Sequence, residues 1–419
     1  MFEPVSVSLS PNAFKADVWR SMRVLARPSD WCRGEEPARL ETEFENFFPG
    51  VKAASFASGR TAFWAILKAL KIGKGDEVIC QSFSCVVVAN AILKVGARPV
   101  FGDIKKESFN LDPEDLLKKI TPRTKAIVVQ HTFGLPAETE KILQIAREYS
   151  LSVIEDCAHG IGFEYKGQKT GVLADAAFLS FGRDKAISSV FGGMSLTRRF
   201  GLAQQIKGIQ ESLNYPSPAW VRQQLFHPPL MAALLPVYNL FSLGKIILLG
   251  SQLGRLLSFP LSQGEKKGVF NEKLMARMPN GLAGLARFQF SRLSRFNQIR
   301  SRMVAYYAEN LKELPVELPE FQSPDKQPFP LLRFTIRIDN PQDLYKFAKK
   351  RGVLLNNWYY PAVSPQGVDY KKIGYQPADC PVAEAVSARV VNLPTHPKMT
   401  LNQAQKVVKI IKDFYKEKR

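Results

Sequence analysis

Lys185 stands in Ser180-Phe181-Gly182-Arg183-Asp184-Lys185, directly after the apolar run Ala176-Ala177-Phe178-Leu179. A lysine at the mouth of a buried strand can lose enough solvation to become a neutral amine, and a neutral amine condenses with an aldehyde to a Schiff base. Taken alone, the same residue fits a solvated lysine at a strand boundary.

A carboxylate lies 29 residues upstream, where Leu151-Ser152-Val153-Ile154-Glu155 runs into Asp156-Cys157-Ala158-His159-Gly160. The carboxyl end of a parallel strand is where open α/β sheets bind ligands, and an acid there could pair with the protonated ring nitrogen of pyridoxal phosphate. Without Lys185 the same Asp156 would read as a turn or cap. The third component is Ser55-Phe56-Ala57-Ser58-Gly59-Arg60-Thr61, ahead of the apolar helical pattern from Ala62 to Leu70. Small residues at a helix N-terminus leave N–H groups facing outward, and the helix dipole favours a phosphate there. Ser58 and Thr61 also suit plain capping, so the loop gains weight only beside Asp156 and Lys185.

The elements that must carry these groups alternate. Strand-like runs at Glu77–Cys80, Arg98–Phe101, Ala126–Val129, Val153–Glu155 and Ala176–Ser180 are separated by helical patterns such as Pro113–Ile120 and Thr139–Tyr149. That alternation predicts an α/β fold with a mostly parallel central sheet and helices on both faces. One long helix is expected from Pro279, with Leu282, Leu285, Phe288, Leu293, Phe296 and Ile299 at helical spacings. A smaller C-terminal α/β domain follows, with a strand at Leu332–Ile338 and helices at Pro341–Arg351 and Leu401–Tyr415. The expected division is an N-terminal arm (1–50), a large cofactor-binding domain (51–200), a basic apolar helical insertion (201–270), and a linking helix with the small domain (271–419). No internal repeat or low-complexity segment is evident.

These motifs resemble the DegT/DnrJ type of pyridoxal-phosphate-dependent sugar aminotransferases, of the aspartate aminotransferase fold (fold type I). The resemblance extends through Gly73-Lys74-Gly75-Asp76-Glu77, Asn90–Ile104, Thr121–Ile127, His131-Thr132-Phe133-Gly134, Met278-Pro279-Asn280 and Leu393-Pro394-Thr395-His396-Pro397. It is weak over the first forty residues and from about Gly201 to Phe270. It implies Lys185 as the cofactor-bearing lysine, Asp156 as the ring-nitrogen partner, and Ser180, Gly59 and Arg60 as phosphate ligands. It implies a homodimer in which Arg277 or Asn280 reaches the neighbour's phosphate, a nucleotide-linked keto sugar as substrate, and glutamate as amino donor. Three positions depart from the family pattern. His159 replaces a glutamine near the cofactor's phenolic oxygen, Cys85 replaces an aromatic ring over the cofactor, and Arg60 replaces a threonine. The loop from Lys185 to Gly192-Gly193 is also about one residue shorter than expected. A histidine would replace Lys185 in a dehydratase relative.

The 419 residues, 45% of them apolar, suffice for two domains. The five cysteines show no metal-ligand spacing, and their odd number argues against a disulfide framework. No secretory signal precedes the first elements, so a cytoplasmic address is expected. The net charge is +20, with 15 Lys or Arg against 4 Asp or Glu between Arg198 and Asn310. No acid occurs from Ser212 to Gly264, which holds the apolar runs Leu225–Phe241 and Ile246–Leu249. Pro228, Pro229, Pro236, Lys245 and Arg255 interrupt these runs too often for a membrane-spanning helix. Short helices in the interface of an anionic membrane, with Lys245, Arg255, Lys266 and Lys267 toward the headgroups, fit the segment, and so does packing on the enzyme or its dimer partner. Two other classes compete: a relative that has kept the fold and lost turnover, and a basic nucleic-acid-binding protein, for which no recognised motif is present.

Overall fold

The computed structural model describes residues 3–240, 243–254, 256–323 and 325–417. Its centre is a seven-stranded sheet. In chain order the strands are β1 (Lys52–Phe56), β2 (Glu77–Gln81), β3 (Arg98–Gly102), β4 (Thr124–Gln130), β5 (Ser152–Asp156), β6 (Ala176–Ser180) and β7 (Gly193–Thr197). Their spatial order is β1-β7-β6-β5-β4-β2-β3. The five strands from β6 to β3 are parallel, and β7 runs antiparallel to both β6 and β1. The parallel strands carry apolar stretches such as Val78-Ile79-Cys80, Ala126–Val129, Val153-Ile154 and Ala176–Leu179, as suits strands covered on both faces. The edge pair β1 and β7 was not expected from sequence. Ala53-Ala54-Ser55 and Gly193-Met194-Ser195 are small and mixed in polarity, with no period-two pattern to mark them.

Helix α1 (Gly59–Ala69) follows β1 and packs on the sheet, with Phe63 stacked on Phe178 at 4.6 Å between ring centroids. Gly59 is required by close approach. A Cβ there would lie 2.9 Å from the Leu179 carbonyl oxygen and 2.9 Å from the Ser180 Cβ. The helix therefore begins against the end of β6, within reach of whatever β6 presents.

The helix expected from Pro279 is two helices, Asn280–Phe290 and Leu293–Leu311. The break at Ser291-Arg292 lets Arg292 turn back to the Phe288 carbonyl and to Asp17. The second helix leads into the C-terminal unit, where Tyr307 donates to the Pro394 carbonyl at 3.0 Å. There Arg333–Arg337 pairs antiparallel with Val390–Pro394, flanked by helices Pro341–Lys350 and Leu401–Glu417. The chain start is joined to this unit, since Val5-Ser6 pairs parallel with Val353-Leu354.

The acid-free segment folds into two helices, α2 (Pro218–Leu234) and α3 (Leu243–Leu253). Pro228 and Pro229 lie inside the first. A proline at 229 leaves the Leu225 carbonyl without its helical N–H, and the Ser21 hydroxyl takes that carbonyl instead. Among the described residues no helix is long and apolar enough to cross a membrane.

Candidate functional site

Three chain turns meet at the carboxyl end of the sheet. Asp156 is the last residue of β5, Ser180 the last of β6, and Ser58 caps α1 by accepting the Thr61 N–H at 3.2 Å. Lys185 follows β6 by one turn, closed by its N–H to the Gly182 carbonyl at 3.2 Å. From the far end of the chain, Asn12 Nδ2 donates to the Lys185 carbonyl at 2.5 Å, which holds the turn from behind. Lys185, Asp156, Ser180, Gly59, Arg60, Cys85 and His159 all line one cavity of about 500 Å³.

The electrostatics of this cavity are those of ionisable groups taken out of water. Burial lowers the pKa of Lys185, with Arg333 adding to the effect and Asp184 and Asp156 opposing it. The amine is thereby moved toward its neutral, nucleophilic form. Burial raises Asp156 to about 6, against the opposing pull of the Ala158 N–H, 2.9 Å from Oδ1, and of Lys185 and His131. A cation placed beside that carboxyl would hold it ionised. Cys85 lies at the start of the helix Val86–Lys94, and burial raises its thiol pKa, so the group presented to the cavity is a neutral thiol.

His159 is buried and neutral, its pKa pushed well down by desolvation and then by Lys185 and Arg333. Its ring packs with those of Phe133 and Tyr359 in a triangle, with centroids 5.5 and 5.7 Å away and the other two rings 5.6 Å from each other. The Phe133 N–H donates to Nδ1 at 3.1 Å, so Nε2 carries the proton and donates to the Tyr359 hydroxyl at 2.9 Å. The imidazole N–H expected to reach a ligand is thus directed to Tyr359.

Arg60 departs from expectation in its partner. Its guanidinium pairs with buried Glu265, and Nη2 donates to the Pro260 carbonyl at 3.2 Å. Glu265 is the acid that ends the acid-free segment, and a buried guanidinium, its pKa lowered to about 10 by desolvation, takes the nearest carboxylate. Asn280 is not brought to the cavity of its own chain. Its side chain accepts the Glu36 N–H at 2.9 Å and donates to the Asp30 carbonyl at 2.8 Å, beside Gly34. Lys266, expected on a membrane face, lines the cavity and donates to the Gln366 carbonyl at 3.2 Å. Arg255 lies outside the described residues.

Several wall residues escaped sequence reasoning. Tyr359 and Trp358 come from the C-terminal unit, as does Arg333, which pairs with Asp184 and sits 5.3 Å from the Trp358 ring. Leu248, Gln252 and Phe259 come from the acid-free segment, and Ser8 and Ser10 from the chain start. No local motif marks them, because 153 to 203 residues separate the C-terminal contributors from the strand ends they face. One other cluster, His131, Glu155 and Cys157, could be taken for a metal site. His131 Nδ1 accepts the Ala137 N–H, so Nε2 donates to Glu155, and Glu155 also accepts the N–H groups of Gly171, Leu173 and Ala174. These bonds make the cluster a structural brace for the loop before β6.

The model of the DegT/DnrJ/EryC1/StrS aminotransferase family matches residues 14–215 and 256–412, leaving α2 and α3 outside the match. A UDP-N-acetyl-3-dehydro-alpha-D-glucosamine 3-aminotransferase of Acidithiobacillus ferrooxidans is 30% identical over 381 residues, which is 90% of this chain and 88% of the relative. A dTDP-3-amino-3,6-dideoxy-alpha-D-galactopyranose transaminase of Aneurinibacillus thermoaerophilus is 26% identical over 402 residues, 96% of each chain. Among solved structures, ntda from Bacillus subtilis with bound cofactor PMP shares the fold with a TM-score of 0.74 at 22% identity, over 99% of this chain and 86% of that one. With most of its length matched and the strand-end lysine and carboxylate in one cavity, the chain belongs to the DegT/DnrJ/EryC1/StrS aminotransferase family.

Proposed function

We propose that the protein is an aminotransferase that uses pyridoxal phosphate to move an amino group from glutamate to a keto sugar carried on a nucleotide, for glycoconjugate or polysaccharide synthesis, and that it works as a homodimer. The observation that carries this reading is the meeting of Lys185, Asp156 and the N-terminus of α1 in one buried cavity.

The residues present fit that cofactor. Gly59 has no room for a side chain, which keeps the α1 N-terminus open to a phosphate beside Ser180. Asp156 is a buried carboxyl suited to hold a proton on a ring nitrogen, and Lys185 is a desolvated amine that can attack an aldehyde. When bound, the cofactor supplies the electron sink that lets an amino group be stored and passed on.

The chain's own groups do the rest. Lys185 Nζ, once free of the cofactor, is the base that moves the proton. Asp156 keeps its partner cationic, and the Tyr359 hydroxyl, receiving from His159, has its own proton to offer into the cavity. Arg333, Arg183 and Lys266 line the same wall, and a positive wall suits both a dicarboxylate donor and a diphosphate-bearing acceptor. The names of the two curated relatives, each acting on a nucleotide-linked amino sugar, support the choice of acceptor.

The test is spectroscopic. Purified protein loaded with pyridoxal phosphate should show a visible band that glutamate bleaches and a nucleotide-linked keto sugar restores, with the amino sugar found by mass spectrometry. A loaded protein whose band ignores every amino donor would favour the member that has lost turnover.

A further inference from the structure

Helix α3 turns a mixed face to the enzyme and an apolar one away from it. One face is turned to the enzyme, where Ser251 is buried and Leu248 and Gln252 line the cavity that holds Lys185. The opposite face carries Ile246, Leu249 and Leu253, which are 64%, 56% and 71% exposed. Their spacing of three and four residues puts them in one row along the helix. Leu256, also exposed, follows the helix, as do exposed Ala232 and Ala233 at the end of α2 and Pro236 just after it in the neighbouring turn. A helix that covers a soluble enzyme normally turns charge outward, and this one does the reverse.

We propose that Ile246, Leu249 and Leu253, with Leu256 beyond them, seat the enzyme in the interface of an anionic bilayer, with the mouth of the cofactor cavity held at the membrane surface. Charge selects this occupant. No carboxylate occurs from Ser212 to Gly264, whereas Lys245 flanks the row and exposed Lys267 follows it, so no acid of the segment would oppose an anionic surface. Shape agrees. Four exposed side chains cover only part of the roughly 800 Å² per partner that a standard protein interface buries, but an interfacial helix needs no complementary surface. Ile246, Leu249 and Leu253 lie on a helix outside the family match, which resumes at residue 256. Because Leu248 and Gln252 of the same helix wall the cavity, a helix lying in the headgroup layer would admit substrate from the membrane side.

This inference goes beyond amino transfer and is tested apart from it. Full-length, cofactor-loaded protein is floated with vesicles of phosphatidylglycerol and phosphatidylcholine at low and high salt, beside the triple variant Ile246→Ser, Leu249→Ser, Leu253→Ser. Wild type should float with anionic vesicles and lose recovery in salt. The variant should fall about ten-fold in bound fraction with its cofactor band and light-scattering mass unchanged. A wild type that stays at the bottom of the gradient, or a variant that floats equally well, overturns the proposal. So does a variant whose change is in oligomeric mass, because the row would then be an interface between copies of this chain. If the triple variant fails to fold, Leu253→Trp serves instead. Its added fluorescence should shift to the blue with anionic vesicles, and unshifted emission overturns the proposal equally.

Discussion

The Tyr359 hydroxyl lies 2.9 Å from His159 Nε2, while His159 Nδ1 accepts the Phe133 N–H. The imidazole is therefore locked in one tautomer from both sides, and the phenol is its outlet to the cavity. Tyr359→Phe should leave the Nε2 proton buried and unpaired, at a cost of about 1–3 kcal/mol in stability. It should lower turnover about ten-fold with cofactor affinity within about two-fold of wild type. His159→Ala should give a loss of similar size. A Tyr359→Phe enzyme with wild-type turnover would remove the phenol from the chemistry and leave it as packing.

Lys185→Ala should abolish amino transfer and the visible band of the loaded protein, with the melting temperature of the cofactor-free protein kept or raised. Removing a desolvated amine relieves the burial that lowers its pKa, so no stability is lost with the charge. A visible band retained by purified Lys185→Ala protein would end the assignment.

Asp156 gives a pH-dependent test. Its folded pKa of about 6 stands above the ordinary 3.8, so the cofactor-free fold binds this proton more tightly than the unfolded chain does. The resulting stability is present in full below pH 3.8 and is lost as pH rises through about 6. The shift of about 2 units corresponds to about 3 kcal/mol. Asp156→Asn cannot titrate, so its denaturation free energy relative to wild type should improve between pH 4 and pH 7 by an amount of that order, about 3 kcal/mol. Amino transfer should fall by orders of magnitude, because an amide cannot hold a cationic partner by charge. A stability difference flat across this range would show that the carboxyl is already ionised in the fold.

Much of this was legible in the sequence, for physical reasons that also mark the limits. Strands β2 to β6 are covered on both faces and read as apolar runs, and Asp156 and Lys185 each end or follow such a run, so the local pattern carried their positions. Arg333, Trp358 and Tyr359 reach the same cavity through tertiary folding alone. The partner of Arg60 was hidden for the same reason. Glu265 is 205 residues away, and only the packing of the segment over the site makes it the nearest acid. That one helix runs through Pro228 and Pro229 depends on Ser21, a hydroxyl on a different helix that meets the freed Leu225 carbonyl.

Asn280 separates two roles. Within its own chain the side chain joins Glu36 N–H and the Asp30 carbonyl, which closes the loop around Gly34. Asn280→Ala should therefore cost about 1–3 kcal/mol by chemical denaturation, because it leaves two half-buried backbone groups without their partner. Cofactor affinity measured by titration should stay within about two-fold of wild type. A selective loss of cofactor affinity at unchanged stability would instead place Asn280 on the neighbouring subunit's phosphate.

The pair between Arg60 and Glu265 ties the start of α1 to the end of the acid-free segment, with side-chain exposures of 13% and 2%. Neither charge can turn to water if its partner is removed. Glu265 also accepts the Ser262 N–H at 2.7 Å and the Ser262 hydroxyl at 2.8 Å, bonds that glutamine can partly keep. Glu265→Gln should thus isolate the loss of charge and destabilise the fold by roughly 3–5 kcal/mol, because it strands a desolvated guanidinium. Arg60→Met should strand the carboxylate at comparable cost. The double variant, with neither charge left to be buried alone, should recover most of the loss, which a double-mutant cycle by urea denaturation reads directly. Single losses that merely add in the double variant would mean that the two groups do not act as a pair, and that Arg60 is held for the phosphate by other contacts.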